Sequence, residues 1–183
     1  MDRSAQSFEL DAARLRPQNG GKENDMTDTI QSRLAALGLE LPDVAGPAAN
    51  YVSTGRSGDL LSISGQVSRT ASGDVLSGTL GATCTTEDGT RAAEVAALNV
   101  IARIAAWTGE SVGAVRRIVR LGVFVAATPD FKEHSKVANG ASDLMVAIFG
   151  DAGCHSRSAI GVSSLPMGAA VEVEALVELE PGA

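Results

Sequence analysis

The apolar positions of the chain fall into two rhythms, and their alternation predicts a single α+β domain. From Thr29, Ile30, Leu34, Leu37 and Leu39 recur on one side of a short helix that closes near Gly38 and is expected to cover an edge. A loop over residues 42–50 leads into two hairpin strands, residues 51–56 and 60–66, separated by Ser57-Gly58-Asp59. In the second strand Leu61 and Ile63 face one way while Ser62, Ser64 and Gln66 face the other, because successive strand side chains alternate. A turn at Ser72-Gly73-Asp74 announces a third strand over residues 75–80.

The spacing then changes to steps of three and four. Ala93, Ala97, Val100, Ile104 and Trp107 mark a helix over residues 87–108, with Gly109 where a C-terminal stop belongs. Residues 117–126 are apolar on both faces and read as a buried strand. Thr128-Pro129 supplies an N-cap and a first-turn proline for a second long helix that runs through Phe149 to Gly150. Within it Asn139-Gly140 reads as a kink or a second start, since an interior Gly costs about 1 kcal/mol relative to Ala. Two strands finish the chain, residues 156–163 and 169–180, the last with Val171, Val173, Ala175, Val177 and Leu179 on one face. The predicted order is β-β-β-α-β-α-β-β. Right-handed crossovers place both long helices on one face of a mixed sheet. The opposite face, partly apolar, is left uncovered, which predicts a homo-oligomer whose sheets cover one another in a closed ring.

The chain has 183 residues, enough for one well-filled core but short for two. Residues 1–25 are polar, contain Pro17 and Gly20-Gly21, show one weakly helical stretch over residues 8–15, and read as an N-terminal extension to a domain over residues 26–183. A net charge of −7 repels polyphosphate on average and argues against nucleic acid as a partner. No run approaches the roughly 20 apolar residues of a membrane span, and the start lacks the pattern of a secretory signal, so a cytoplasmic address is expected. Cys84 and Cys154 are read as free thiols. With His134 and His155 they lack the paired spacing of a zinc site, and no phosphate-cradling glycine loop occurs, so neither metal nor cofactor is expected. A Cys154-His155 nucleophilic pair is rejected, because neighbours on a strand point to opposite faces.

Three blocks carry a resemblance: SGQ at Ser64-Gly65-Gln66, VANGASDLM over residues 137–145, and HSRSAIGVSSLPMGAAVEVEA over residues 155–175. Together they resemble the RidA/YjgF family, also called the L-PSP endoribonuclease family, over residues 51–180. The resemblance implies a chorismate-mutase-like fold, a homotrimer with the sheets as its inner barrel, ligand pockets between subunits, and hydrolysis of 2-imino acids to 2-oxo acids and ammonia. It places the carboxylate-holding arginine on Arg157, the water-positioning glutamate on Glu172, and further substrate contacts on Tyr51, Ser64 and Asn139. Ala159 stands where many deaminating members have cysteine, Gly161 replaces a frequent glutamate, and Cys154-His155-Ser156 replaces the familiar proline before the arginine, as in a less characterised branch.

The chemistry suits the residues. A guanidinium fork grips a carboxylate through two parallel hydrogen bonds, and Glu172 shares its strand face with Glu174, so that each disfavours ionisation of the other. Plainer readings stand beside these. Arg157 could pair with a strand carboxylate, Glu172 could belong to a solvated face, Tyr51 could anchor a strand, and Asn139-Gly140 could be a helix joint. Three functions follow: an imine/enamine deaminase, a non-catalytic trimer binding a small carboxylate as a sensor or chaperone-like module, and an endoribonuclease.

Overall fold

The computed structural model describes residues 28–43 and 51–183; the extension over residues 1–25 lies outside the described residues. In chain order its elements are α1 (Ile30–Ala36), β1 (Thr54–Ser57), β2 (Leu60–Val67), α2 (Thr86–Thr108), β3 (Val115–Ala126), α3 (His134–Phe149), β4 (Ser156–Val162) and β5 (Val171–Leu179). The strands form one sheet in the order β1-β2-β5-β3-β4. β3 and β4 run parallel, and every other pair is antiparallel.

Alternation on β5 divides the molecule into layers. Val171, Val173, Ala175, Val177 and Leu179 are buried under the helices with Ala93, Ala97, Val100 and Ile104 of α2, whereas Glu172, Glu174, Leu176 and Glu178 point to the other face and stay partly exposed. That second face has no helix over it among the described residues. It mixes half-buried Phe124 and half-exposed Ile160 with the ion pairs Arg116–Glu178 at 3.1 Å and Arg120–Glu174 at 3.4 Å. No helix among the described residues is long and apolar enough to cross a membrane.

Local chemistry sets the helix ends. Thr29 and Ser32 form a reciprocal capping box on α1, and Thr85 and Asp88 form another on α2, each satisfying orphan backbone donors. Gly109 closes α2 in the left-handed region at φ 60°. Ile30 and Leu34 are buried, and Arg33 Nη1 donates to the Ile148 carbonyl at 2.6 Å, which seats α1 against the end of α3. Leu37, expected on the apolar side, lies past the last turn and is exposed.

Four expectations are corrected. Residues 75–80 form only isolated bridges, among them Arg69 with Val75 and Ser77 with Ala169, so there is no third strand before α2. Gly78 breaks it: its φ of 136° leaves the extended region, and the space beside it is filled by Cys84 Sγ. Thr128-Pro129 does not open α3. The Thr128 N–H donates to the Leu80 carbonyl at 3.0 Å and its carbonyl accepts from Phe131 N–H, which closes a turn, and the helix begins five residues after the proline at His134. Asn139-Gly140 is no kink, because α3 runs unbroken through it. Gly140 is there for clearance: a Cβ would lie 2.1 Å from the Thr90 carbonyl oxygen of α2, so the two long helices touch backbone to backbone. Finally, Gln66 does not share a face with Ser62 and Ser64. Ile63 pairs with Ala175 but Gln66 pairs with Val173, so Ser64 and Gly65 together oppose one residue of β5, and this bulge turns Gln66 to the helix side.

Candidate functional site

Two clusters gather the residues singled out from the sequence. The first is a cleft of about 510 Å³ beside the β2 bulge, lined among others by Tyr51, Gln66, Asn99, Arg103, Met167 and Glu172. Gly65 makes room for Glu172: a Cβ there would fall 1.9 Å from Glu172 Oε1, so the carboxylate lies flat over the bare backbone. Gly122 does the same for Glu174. Burial first, and the neighbouring Glu174 second, push the Glu172 carboxyl above its ordinary value. Arg103 Nε donates to Gln66 Oε1 at 3.3 Å, and Tyr51 lies close enough to interact with the same guanidinium. Asn99 donates to the Val67 and Arg69 carbonyls and ties α2 to the bulged strand.

Ser64 does not line this cleft. Its hydroxyl donates to the Val52 carbonyl at 2.9 Å and its N–H to the Ser53 carbonyl at 3.0 Å, which pins the segment carrying Tyr51. Met167 holds a left-handed backbone, φ 59°, in the turn before β5, and projects an exposed side chain at the cleft rim.

The second cluster sits between α3 and β4. Arg157 pairs in register with Leu121, whose side chain is fully buried on the helix face, so the guanidinium reaches toward α3. Ser135, Asn139 and Ser142 recur there at steps of four and three and present one polar stripe to it. Arg157 Nη1 donates to Asn139 Oδ1 at 3.0 Å and to Ser142 Oγ at 2.8 Å, and Nη2 donates to the Ser135 carbonyl at 3.2 Å. All three acceptors are neutral. Of the five guanidinium N–H groups, Nε–H and one Nη2–H have no acceptor among the described residues. No carboxylate among the described residues makes an ion pair with Arg157. Asp143 is near enough to feel its charge, which opposes the upward push that burial gives that carboxyl.

The sequence-predicted residues therefore fall into two groups. Tyr51 and Glu172 meet in the cleft, with Ser64 behind them; Arg157 and Asn139 meet at β4. Within one chain the groups are divided by the sheet, because Arg157 faces the helices while Glu172, in register with Phe124, faces the open side. Gln66 and Arg103 carry the polar floor of the cleft and were not among the predicted contacts. The bulge that brings Gln66 round to Arg103 leaves no mark in an alternating pattern. Ser142 and His155 were also missed, although part of the signal was present: Ser142 is one turn beyond Asn139, and His155 stands two residues before Arg157, just ahead of β4.

A sheet of this order, with two long helices on one face and a cleft at its bulged strand, defines an α+β domain of the chorismate-mutase-like class. The model of the YjgF/chorismate mutase-like endoribonuclease family matches residues 31–179, and the chain belongs to that family. It is 48% identical over 151 residues to Protein TCP17 of Trypanosoma cruzi, covering 82% of this chain and 94% of that protein. Among solved structures it is similar to Atu1372 of Agrobacterium tumefaciens, with 40% identity, a TM-score of 0.77, and coverage of 85% of this chain and 96% of that one. The YjgF gene product of Escherichia coli is more distant, at 26% identity and a TM-score of 0.51, covering 75% of this chain and 96% of its own. The similarity to TCP17 fits a less characterised branch of the family.

Proposed function

We propose that this protein is an imine/enamine deaminase, converting small 2-imino carboxylates to 2-oxo acids and ammonia, and that it works as a cytoplasmic homotrimer with pockets between copies. The observation that carries this reading is the state of Arg157. Three of its N–H groups are held by neutral acceptors, so its orientation is fixed while its charge is not cancelled. Nε–H and one Nη2–H remain to bond a carboxylate, the partner a guanidinium suits best.

The chemistry needs few parts. The substrate carboxylate docks on the N–H groups of Arg157 that have no acceptor, which fixes the C=N carbon in space. A water held by Glu172 adds its oxygen to that carbon. One water proton passes to the carboxylate, which hands it to the imine nitrogen to give a carbinolamine. The hydroxyl proton then passes by way of Glu172 to the amino nitrogen as the C=O bond forms and the C–N bond breaks, and ammonia leaves. A carboxyl shifted upward by burial and by Glu174 is suited to taking up and returning that proton. Tyr51 lines the same cleft, Ser64 holds its segment in place, and Asn139 orients Arg157. Because Arg157 and Glu172 face opposite sides of one sheet, a second copy must bring its cleft to Arg157 to complete the pocket.

Imines generated by an amino-acid oxidase should be hydrolysed faster in the presence of the purified protein than in buffer, and Arg157→Ala should reduce kcat/KM by about 100-fold or more. No acceleration by the unsubstituted chain would refute the reading. The separation of Arg157 from Glu172, with Ala159 where many relatives carry a thiol, favours one alternative, a non-catalytic carboxylate-binding trimer. A 2-oxo acid that raises Tm without turnover of the imine would select it. Ribonuclease activity, the property in the family's name, is opposed by the net charge of −7.

A further inference from the structure

The hydrogen-bond chain that ends on Arg157 starts two residues upstream. His155 Nδ1 lies 2.6 Å from the Gly153 carbonyl oxygen, an atom that can only accept, so Nδ1 carries the hydrogen, and in the neutral tautomer this requires, Nε2 is bare. Ser142 Oγ lies 2.9 Å from Nε2, and in that tautomer it is the hydroxyl that donates. Its lone pairs are thereby left to the Nη1–H of Arg157 at 2.8 Å. The origin of the chain is fixed by packing: a Cβ on Gly153 would lie 2.3 Å from the Met145 carbonyl oxygen, so the turn after α3 rests directly on the helix backbone. Each link thus sets the polarity of the next, from a backbone carbonyl that cannot reorient to a guanidinium on the edge strand.

We propose that Ser142 and His155 are positioning residues for Arg157. Withdrawal of the Ser142 hydrogen toward His155 strengthens Oγ as an acceptor, since hydrogen bonds in a chain polarise one another. The strengthened acceptor pins Nη1 and so fixes the plane of the guanidinium, whose N–H groups without an acceptor grip a small carboxylate. The inference rests on the reading of Arg157 as a carboxylate anchor, but it assigns a role to two side chains which that reading does not need.

Nitrogen-15 NMR of the histidine-labelled protein should show His155 with hydrogen on Nδ1 and a bare Nε2. Ser142→Ala should move the Nε2 signal, and it should speed exchange of the Arg157 guanidinium hydrogens with water. In calorimetric titration with 2-oxobutanoate, Ser142→Ala and His155→Ala should weaken binding about tenfold, as expected for loss of a hydrogen bond to a charged group. Ser142→Thr, which keeps the hydroxyl, should return it to within about twofold of the unsubstituted chain. In turnover, the loss should fall on KM more than on kcat, with unchanged circular dichroism. A proton on His155 Nε2, or Arg157 exchange that is the same in Ser142→Ala, would overturn the pair. Failure of the unsubstituted chain to bind 2-oxobutanoate would instead strike the carboxylate reading, and the NMR measurements would still decide whether Ser142 and His155 hold Arg157.

Discussion

Glu172 reaches across a position where the chain has no side chain to resist it. The missing Cβ of Gly65 is filled by the end of a flexible carboxylate rather than by backbone, so Gly65→Ala should leave the fold intact and displace Glu172. The expected result is a fall in deaminase kcat of about 10-fold or more at unchanged circular dichroism. Glu172 also couples folding to pH. Burial, then Glu174, raises its native pKa above the ordinary 4.5. Between those two values the folded chain holds more protons than the unfolded one, so stability falls as pH rises through the window, and the deficit is complete above it. Glu172→Gln should therefore have a higher Tm than the unsubstituted protein at pH 8, with the difference shrinking toward pH 4. At this scale the sequence was legible where a period connects residues. Ser135, Asn139 and Ser142 share a helix stripe, and Arg157 lies on the helix-facing side of a predicted strand. It was silent on Gln66 and Arg103, which meet only because a bulge reverses the alternation of β2.

The elements follow the hydrophobic rhythm where burial enforces it. β5, buried on one face at every second residue, and α2, buried at steps of three and four, were predicted within two residues at each end. The failures share a cause: contacts between segments far apart in sequence outweighed local signals. The 75–80 strand was lost to the turn of Gly78 over Cys84, and the Thr128-Pro129 start was taken by a turn bonded to Leu80. Gly140, which local propensity marks as weak, is a contact point between helices. Gly140→Ala would drive a methyl into the Thr90 carbonyl, and backbone cannot rotate aside as a side chain can. Overpacking of this kind should lower Tm by about 5–10 °C in thermal unfolding.

For the whole molecule, the sheet face opposite the helices has no helix over it among the described residues, and the proposed function says what would cover it. If copies join so that Arg157 of one meets Glu172 of the next, then inactive Arg157→Ala and inactive Glu172→Gln chains, unfolded and refolded together in equal amounts, should regain about a quarter of the activity. Each restored site would take its intact arginine from one variant and its intact glutamate from the other. Mixtures as inactive as their parents would place the whole site within one chain. The backbone contact of Thr90 with Gly140 bears on how such a site admits its ligand. Sliding of α3 along α2 would press backbone against backbone there, so under the proposed function the acceptors that grip Arg157 would hold their places while a ligand arrives. Selection then rests on a rigid mould rather than a closing jaw, and molecules that fit poorly are turned away at the entrance instead of being reshaped inside.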